Sequence, residues 1–185
     1  MIRRTELNPK KSKAYFLTLA VAVSTVLSAS ALASDGTITI TGSVTSNTCK
    51  VTAGTSADSA VALDRNSAKT LSKAGETSGF KAITFKLTDC DGTGIVKVGF
   101  EAGATTDTAS GRLNLIGAAG VAKNVQIQLR NRDNSVIKIG DDSSIKGETV
   151  IEKAATLQYL IGYYATGAAE GGTANTSVTY SIIYP

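Results

Sequence analysis

Apolar and polar residues alternate with a period of two along most of this chain, and the alternation comes in short runs separated by glycine, serine and aspartate. "FKAITFKLTDC" (Phe80 to Cys90) puts Ile83, Phe85 and Leu87 on alternate positions, and "NVQIQLRN" (Asn124 to Asn131) does the same with Val125, Ile127 and Leu129. "ATLQYLIGYYATG" (Ala155 to Gly167) sets Leu157, Tyr159, Ile161 and Tyr163 on one face, and "SVTYSIIYP" (Ser177 to Pro185) sets Val178, Tyr180, Ile182 and Tyr184. A period of two belongs to a strand with one buried face. Shorter runs, "SVTSNTCKV" (Ser43 to Val51), "IVKVGFEAG" (Ile95 to Gly103) and "SVIKIGD" (Ser135 to Asp141), read as strands too. The polar stretch from Thr52 to Ser78 reads as loop, with one short strand around Val61 to Leu63.

No segment after the first thirty residues carries a helical period, and 18 glycines against two prolines supply the turns. Many short strands joined by turns predict an antiparallel β-sandwich. Two features of it are unusual. "DGTITITGSV" (Asp35 to Val44) alternates Ile38 and Ile40 with threonine, so a strand ready to pair stands ahead of the domain. At the other end the last strand runs to the final residue, so the pattern holds no strand to pair beside it, although long apolar edges are normally blunted or covered.

The first 33 residues have the layout of an export signal. Arg3, Arg4, Lys10, Lys11 and Lys13 form a basic region, "AYFLTLAVAVSTVL" (Ala14 to Leu27) an apolar one, and "ALA" (Ala31 to Ala33) a small-x-small cleavage site, with Ala29-Ser30-Ala31 an alternative. The apolar run is shorter than the roughly 20 residues that a membrane-spanning helix needs. Removal of this leader changes the charge balance. Of 19 basic and 15 acidic residues, five and one lie in residues 1–33, which leaves 14 of each in the remaining 152. The excess positive charge belongs to the leader and gives no warrant for a nucleic-acid partner.

Candidate chemistry is sparse. The chain has no histidine, which excludes His-dependent triads and His-ligated metals. "DCDGTG" (Asp89 to Gly94) resembles the start of a calcium loop, but the downstream carboxylate is missing and a turn is expected. Asp141 and Asp142, with Glu148 nearby, read as a solvated loop and not as a paired-carboxylate site. "GAAG" (Gly117 to Gly120) reads as a turn, and Asn175-Thr176-Ser177 fits a glycosylation sequon. No metal site, cofactor or catalytic residue is expected, so the chain reads as a non-enzyme. Cys49 and Cys90 both lie in the exported part, without CxxC spacing, which favours a disulfide over a metal pair or a redox site. The loop it would close, about 40 residues, corresponds to roughly 4 kcal/mol in the chain-entropy account.

Taken in order, "GTITITGSVTSNTCKV", "ITFKLTDCD", "AKNVQIQLRNRDNSVI", "GYYATGAAEGGTAN" and "VTYSIIYP" resemble the type 1 family of chaperone–usher fimbrial subunits, and a major pilin in particular, over essentially the whole exported chain. The 41-residue separation of Cys49 and Cys90 fits the family's bridge, Tyr184 is its penultimate aromatic, and Gly172, fourteenth from the end, stands where such pilins carry glycine. The resemblance implies an incomplete immunoglobulin-like sandwich, residues 42–185, lacking its last strand. It is preceded by a cleaved signal (1–33) and a donor-strand extension (34–41) presenting Gly36, Ile38 and Ile40.

By that resemblance the groove edge is the strand with Val178, Tyr180, Ile182, Tyr184 and Pro185. A periplasmic chaperone and then neighbouring copies of the chain fill the groove, an outer-membrane usher passes the polymer to the cell surface, and nucleic acid has no part. The implied function is that of a fimbrial shaft subunit in surface adhesion; a minor adaptor or small adhesive subunit of the same system is the alternative. Two departures stand out: the donor segment, Ser34 to Thr41, is shorter than in many relatives, and proline ends the chain.

Overall fold

A computed structural model describes Thr39, Thr41 and residues 48–184 apart from 55 and 118. The signal segment, the donor-strand residues Gly36, Ile38 and Ile40, and Pro185 lie outside the described residues. The chain divides into two units, Met1–Gly42 and Ser43–Pro185, and nearly everything described belongs to the second.

That unit has ten described strands: β1 (Lys50–Ala53), β2 (Thr77–Thr88), β3 (Ile95–Glu101), β4 (Thr106–Asp107), β5 (Arg112–Leu113), β6 (Lys123–Asn131), β7 (Val136–Ile137), β8 (Glu148–Thr149), β9 (Ala155–Glu170) and β10 (Thr179–Ile183). They form two antiparallel sheets. The larger has the order β1-β2-β9-β6-β5-β4, with β7 also on β6, and the smaller is β10-β3-β8. The alternation read from the sequence is the register of the core. Phe85, Leu87, Ile127, Leu129, Leu157 and Tyr159 of the large sheet meet Val96, Val98 and Phe100 of the small one, each at most 3% exposed. Each such side chain contributes roughly 1.5–3 kcal/mol of burial. Phe85 lies at the centre, with Phe100, Tyr159 and Tyr180 edge-on to it at 6.5, 6.1 and 4.9 Å between ring centres, the geometry that the ring quadrupole favours.

One seam of the sandwich is stitched shut. Asn131 on β6, 1% exposed, donates to the Ser144 carbonyl and to Ser135 Oγ and accepts from the Lys146 amide, each at 2.9 Å. Tyr159 crosses the core to donate to the Lys146 carbonyl at 2.9 Å and to accept from the Val98 amide at 3.1 Å. These bonds fix the segment that leads into β8 against the large sheet.

Several expectations need correction. The strand read over Ser43 to Val51 begins, among the described residues, only at Lys50, and that read over Ser135 to Asp141 is reduced to Val136–Ile137. Val61 to Leu63 joins no ladder among the described residues. Residues 104–112 contain β4 and the start of an edge hairpin, and Ile145 between β7 and β8 is buried. Gln126 and Gln128 sit on the supposedly solvent face of β6 yet are 8% and 3% exposed. Arg112 covers that face by stacking on Tyr164, and Arg130 by stacking on Phe80. Phe80 in turn lies on Gly162, where a Cβ would fall 2.7 Å from the ring.

Candidate functional site

The second seam is open. β10 pairs with β3 from Thr179↔Glu101 to Ile183↔Lys97, and no other described strand pairs with β10. Its outer edge therefore carries backbone donors and acceptors without a ladder partner among the described residues. Alternation turns Val178, Tyr180, Ile182 and Tyr184 inward, all half-buried against the core.

The opposite wall is the strap of residues 57–66, which joins no ladder among the described residues. Among the described residues no backbone amide of this strap donates a hydrogen bond, backbone or side chain. It is held by its carbonyls instead. Ala57 accepts from Tyr180 Oη at 2.5 Å, Ala62 from Lys81 Nζ at 2.8 Å, and Asp64 from Tyr163 Oη at 3.2 Å. The Lys81 ammonium also lies 3.5 Å from the Asp64 carboxylate. Burial pushes the phenols of Tyr163 and Tyr180 above the ordinary tyrosine range, with the charges of Asp64 and Asp58 adding to it. Both hydroxyls stay protonated as donors.

Between these walls lies a cavity of about 930 Å³ whose floor is the apolar centre of the large sheet: Ile83, Phe85, Leu113, Ile127, Ile161 and Tyr163. The charged side chains that line it are Asp58, Arg65 and Glu170, and no group of three or more metal-ligating side chains occurs among the described residues. An apolar floor between two segments whose backbone groups have no ladder partner among the described residues is suited to one occupant above others, an extended peptide. Its amides and carbonyls would complete both edges while alternate side chains fill the floor.

Of the residues singled out from the sequence, Gly36, Ile38, Ile40 and Pro185 lie outside the described residues, and the others are placed as follows. Cys49 and Cys90 form a disulfide. Tyr184 Oη accepts from the Cys49 amide at 2.9 Å, so the strand after Ile183 is tied to the bridge. Val178, Tyr180 and Gly172 line the cavity; Ile182 and Tyr184 pack beyond its inner end. At Gly172 a Cβ would fall 2.3 Å from the Ala122 nitrogen and 2.5 Å from the Val121 carbonyl carbon. Thr173 there donates to the Gly120 carbonyl at 2.8 Å and accepts from the Ala122 amide at 3.0 Å. Sequence reading missed the strap as a wall; its one signal was the alternation of Val61 and Leu63 in a polar stretch. Asp89 and Asp91, the doubtful calcium ligands, go to separate partners: Asp89 pairs with Lys50 at 2.8 Å and Asp91 accepts from Thr48 Oγ1 at 3.4 Å.

A sequence model of the family described as FimA, type-1 fimbrial protein A, matches residues 63–185. The chain is 38% identical over 159 residues to the major fimbrial subunit SMF-1 of Stenotrophomonas maltophilia (strain K279a), covering 82% of this chain and 94% of that protein. Among solved structures it is similar to a Burkholderia pseudomallei antigen and type I fimbria protein, at 28% identity and a TM-score of 0.53, over 75% of this chain and 95% of that one. A subunit of a chaperone–usher pilus rod, 20% identical, shares the fold with a TM-score of 0.57 over 82% of this chain and 96% of its own.

Proposed function

Since this chain belongs to the FimA family of type-1 fimbrial proteins, we propose that it is the repeating shaft subunit of a surface fimbrium, built by insertion of residues 34–41 of one copy into the groove of the next. The observation that carries this reading is the open seam, where the free edge of β10 and the unpaired strap flank an apolar floor. Donor-strand complementation between chaperone and pilin is a recognised form of β-augmentation, in which main-chain bonds supply affinity and alternate side chains supply register.

The dimensions are compatible. Eight extended residues reach about 26 Å at 3.3 Å each, more than the roughly 17 Å of the five-residue β10. The period of two sends Ile38 and Ile40 to the floor and places Gly36 in line with them. Burial of the two isoleucines contributes roughly 3–6 kcal/mol before ordering costs. The contact is head to tail and does not close on itself, so repetition makes a filament.

Before polymerisation the free edge and apolar floor need cover. A periplasmic chaperone strand lying beside β10 supplies it, and an outer-membrane usher exchanges that strand for the next copy's extension. The leader, residues 1–33, directs export. In this reading the groove serves as a binding surface for a strand, and the chain acts as a structural protein.

The test is Ile38→Asp or Ile40→Asp. Each variant is expected to accumulate as a soluble chaperone complex and to give less than about a tenth of the wild-type fibre, because a carboxylate does not enter an apolar floor without a partner. Wild-type fibre yield from both variants contradicts the proposal.

A further inference from the structure

The two large apolar side chains most exposed among the described residues lie at one end of the sandwich. Ile151 is 68% exposed and Ile95 is 60% exposed. Ile95 pairs with Thr149 across β3 and β8, and Ile151, two residues further on, is its diagonal neighbour on the outward face. The turn after Ile151 is strained: Glu152 and Lys153 both have left-handed backbones, φ 50° and 62°, and the turn is closed by paired Ile151–Ala154 amide bonds of 2.9 Å. Consecutive residues with side chains rarely adopt this conformation. A single exposed isoleucine is ordinary; two diagonal neighbours beside a strained turn that carries the exposed Glu152 and Lys153 form a small apolar spot next to charged residues.

This is also the end that holds Thr48, where the continuous described segment begins. Residues 89–94 and 150–154 cross between the sheets here. The Asp91 amide donates to the Thr48 carbonyl and the Cys90 amide to the Lys153 carbonyl, both at 3.0 Å, and Val150 donates to Gly94 at 2.8 Å. Only residues 42–47 separate Thr48 from the donor segment. Six residues span at most about 20 Å, so the copy that accepts the donor strand sits against this end.

The groove of that copy opens at the opposite end of its sandwich. β10 begins there, with Thr179 opposite Glu101, and reaches the disulfide end only at Ile183 and Tyr184. The cavity borders Gly172, Ala174, Val178 and Tyr180. A strand whose C-terminal end stays at the Gly172 side runs antiparallel to β10. Exposed on that side is Ile116, at 48%, its amide donating to the Asn175 carbonyl at 2.7 Å.

We infer that the Ile95–Ile151 spot is a second contact between consecutive copies, seated on the Ile116 end of the copy that takes the donor strand. The inference rests on the donor-strand reading. Its small area suffices because the short tether makes the contact effectively intramolecular, at millimolar local concentration. It would make the joint between subunits stiff where a bare six-residue linker would leave it loose.

The test uses the exported chain with Ile151→Asp and Ile95→Asp together, read two ways. Binding of a synthetic peptide of residues 34–41 to the groove should stay within two-fold of wild type, since the spot is remote from the cavity. Filament growth followed by light scattering should slow about ten-fold, and adding Ile116→Lys should restore it by giving the new carboxylates a partner. Because both isoleucines are exposed, unchanged thermal melting confirms that the variant is folded. Wild-type growth of the folded, peptide-binding variant overturns the inference. Failure of the peptide to bind even the wild-type groove overturns the donor-strand reading, and this inference falls with it.

Discussion

Gly172 illustrates how a single missing side chain holds the mouth of the groove. Its backbone lies so close to residues 120–122 that a methyl group has no room, and the obstruction is backbone, which cannot swing aside. Substitution Gly172→Ala should push residues 171–175 outward, break the Thr173 bonds to Gly120 and Ala122, and cost about 1–3 kcal/mol in urea unfolding. Gly171→Ala, with open space around its Cβ position, should stay within about 0.5 kcal/mol of wild type. Equal effects from the two would show that close approach is not what position 172 requires. The sequence marked this glycine only through a family resemblance. The physical reason, backbone facing backbone from fifty residues away, has no local signature. Tyr180 is similar: alternation placed its ring inward, but nothing in the pattern disclosed that its hydroxyl reaches across to Ala57.

At the scale of the element, alternation was legible wherever one face of a strand meets the core and the other meets water. Thus β2, β6, β9 and β10 are where the pattern put them. It failed where that condition fails. Gln126 and Gln128 face outward and are buried because Arg112 and Arg130 fold back over the sheet. β4, β5 and β8 have only two residues each, too few for any period to register. The strap of residues 57–66 joins no ladder among the described residues, so it offers no pairing pattern for alternation to report. Why one seam is open and the other closed also turns on an unpatterned residue, Asn131. Asn131→Ala should leave the Lys146 amide and the Ser144 carbonyl without their partner and cost about 2–4 kcal/mol. Equilibrium denaturation checks this, and a change below about 0.5 kcal/mol would show that the seam is closed by packing alone.

For the molecule as a whole, the disulfide and β10 belong to one arrangement. The Cys49–Cys90 bridge links the start of the described domain to the end of β2, and Tyr184 binds the Cys49 amide, so the free edge of β10 is tied to the bridge. The sandwich was legible from the alternation, which also put β10 at an edge that has no second ladder among the described residues; the N-terminal strand lies outside them. The location of the groove required the structure, because the strap, the floor and the free edge come from segments far apart in the chain. The most direct test of the central claim is electron microscopy of cells producing this chain with and without residues 34–41. Filaments on wild-type cells and none on cells carrying the deletion are the predicted result; filaments that persist after the deletion would contradict the account.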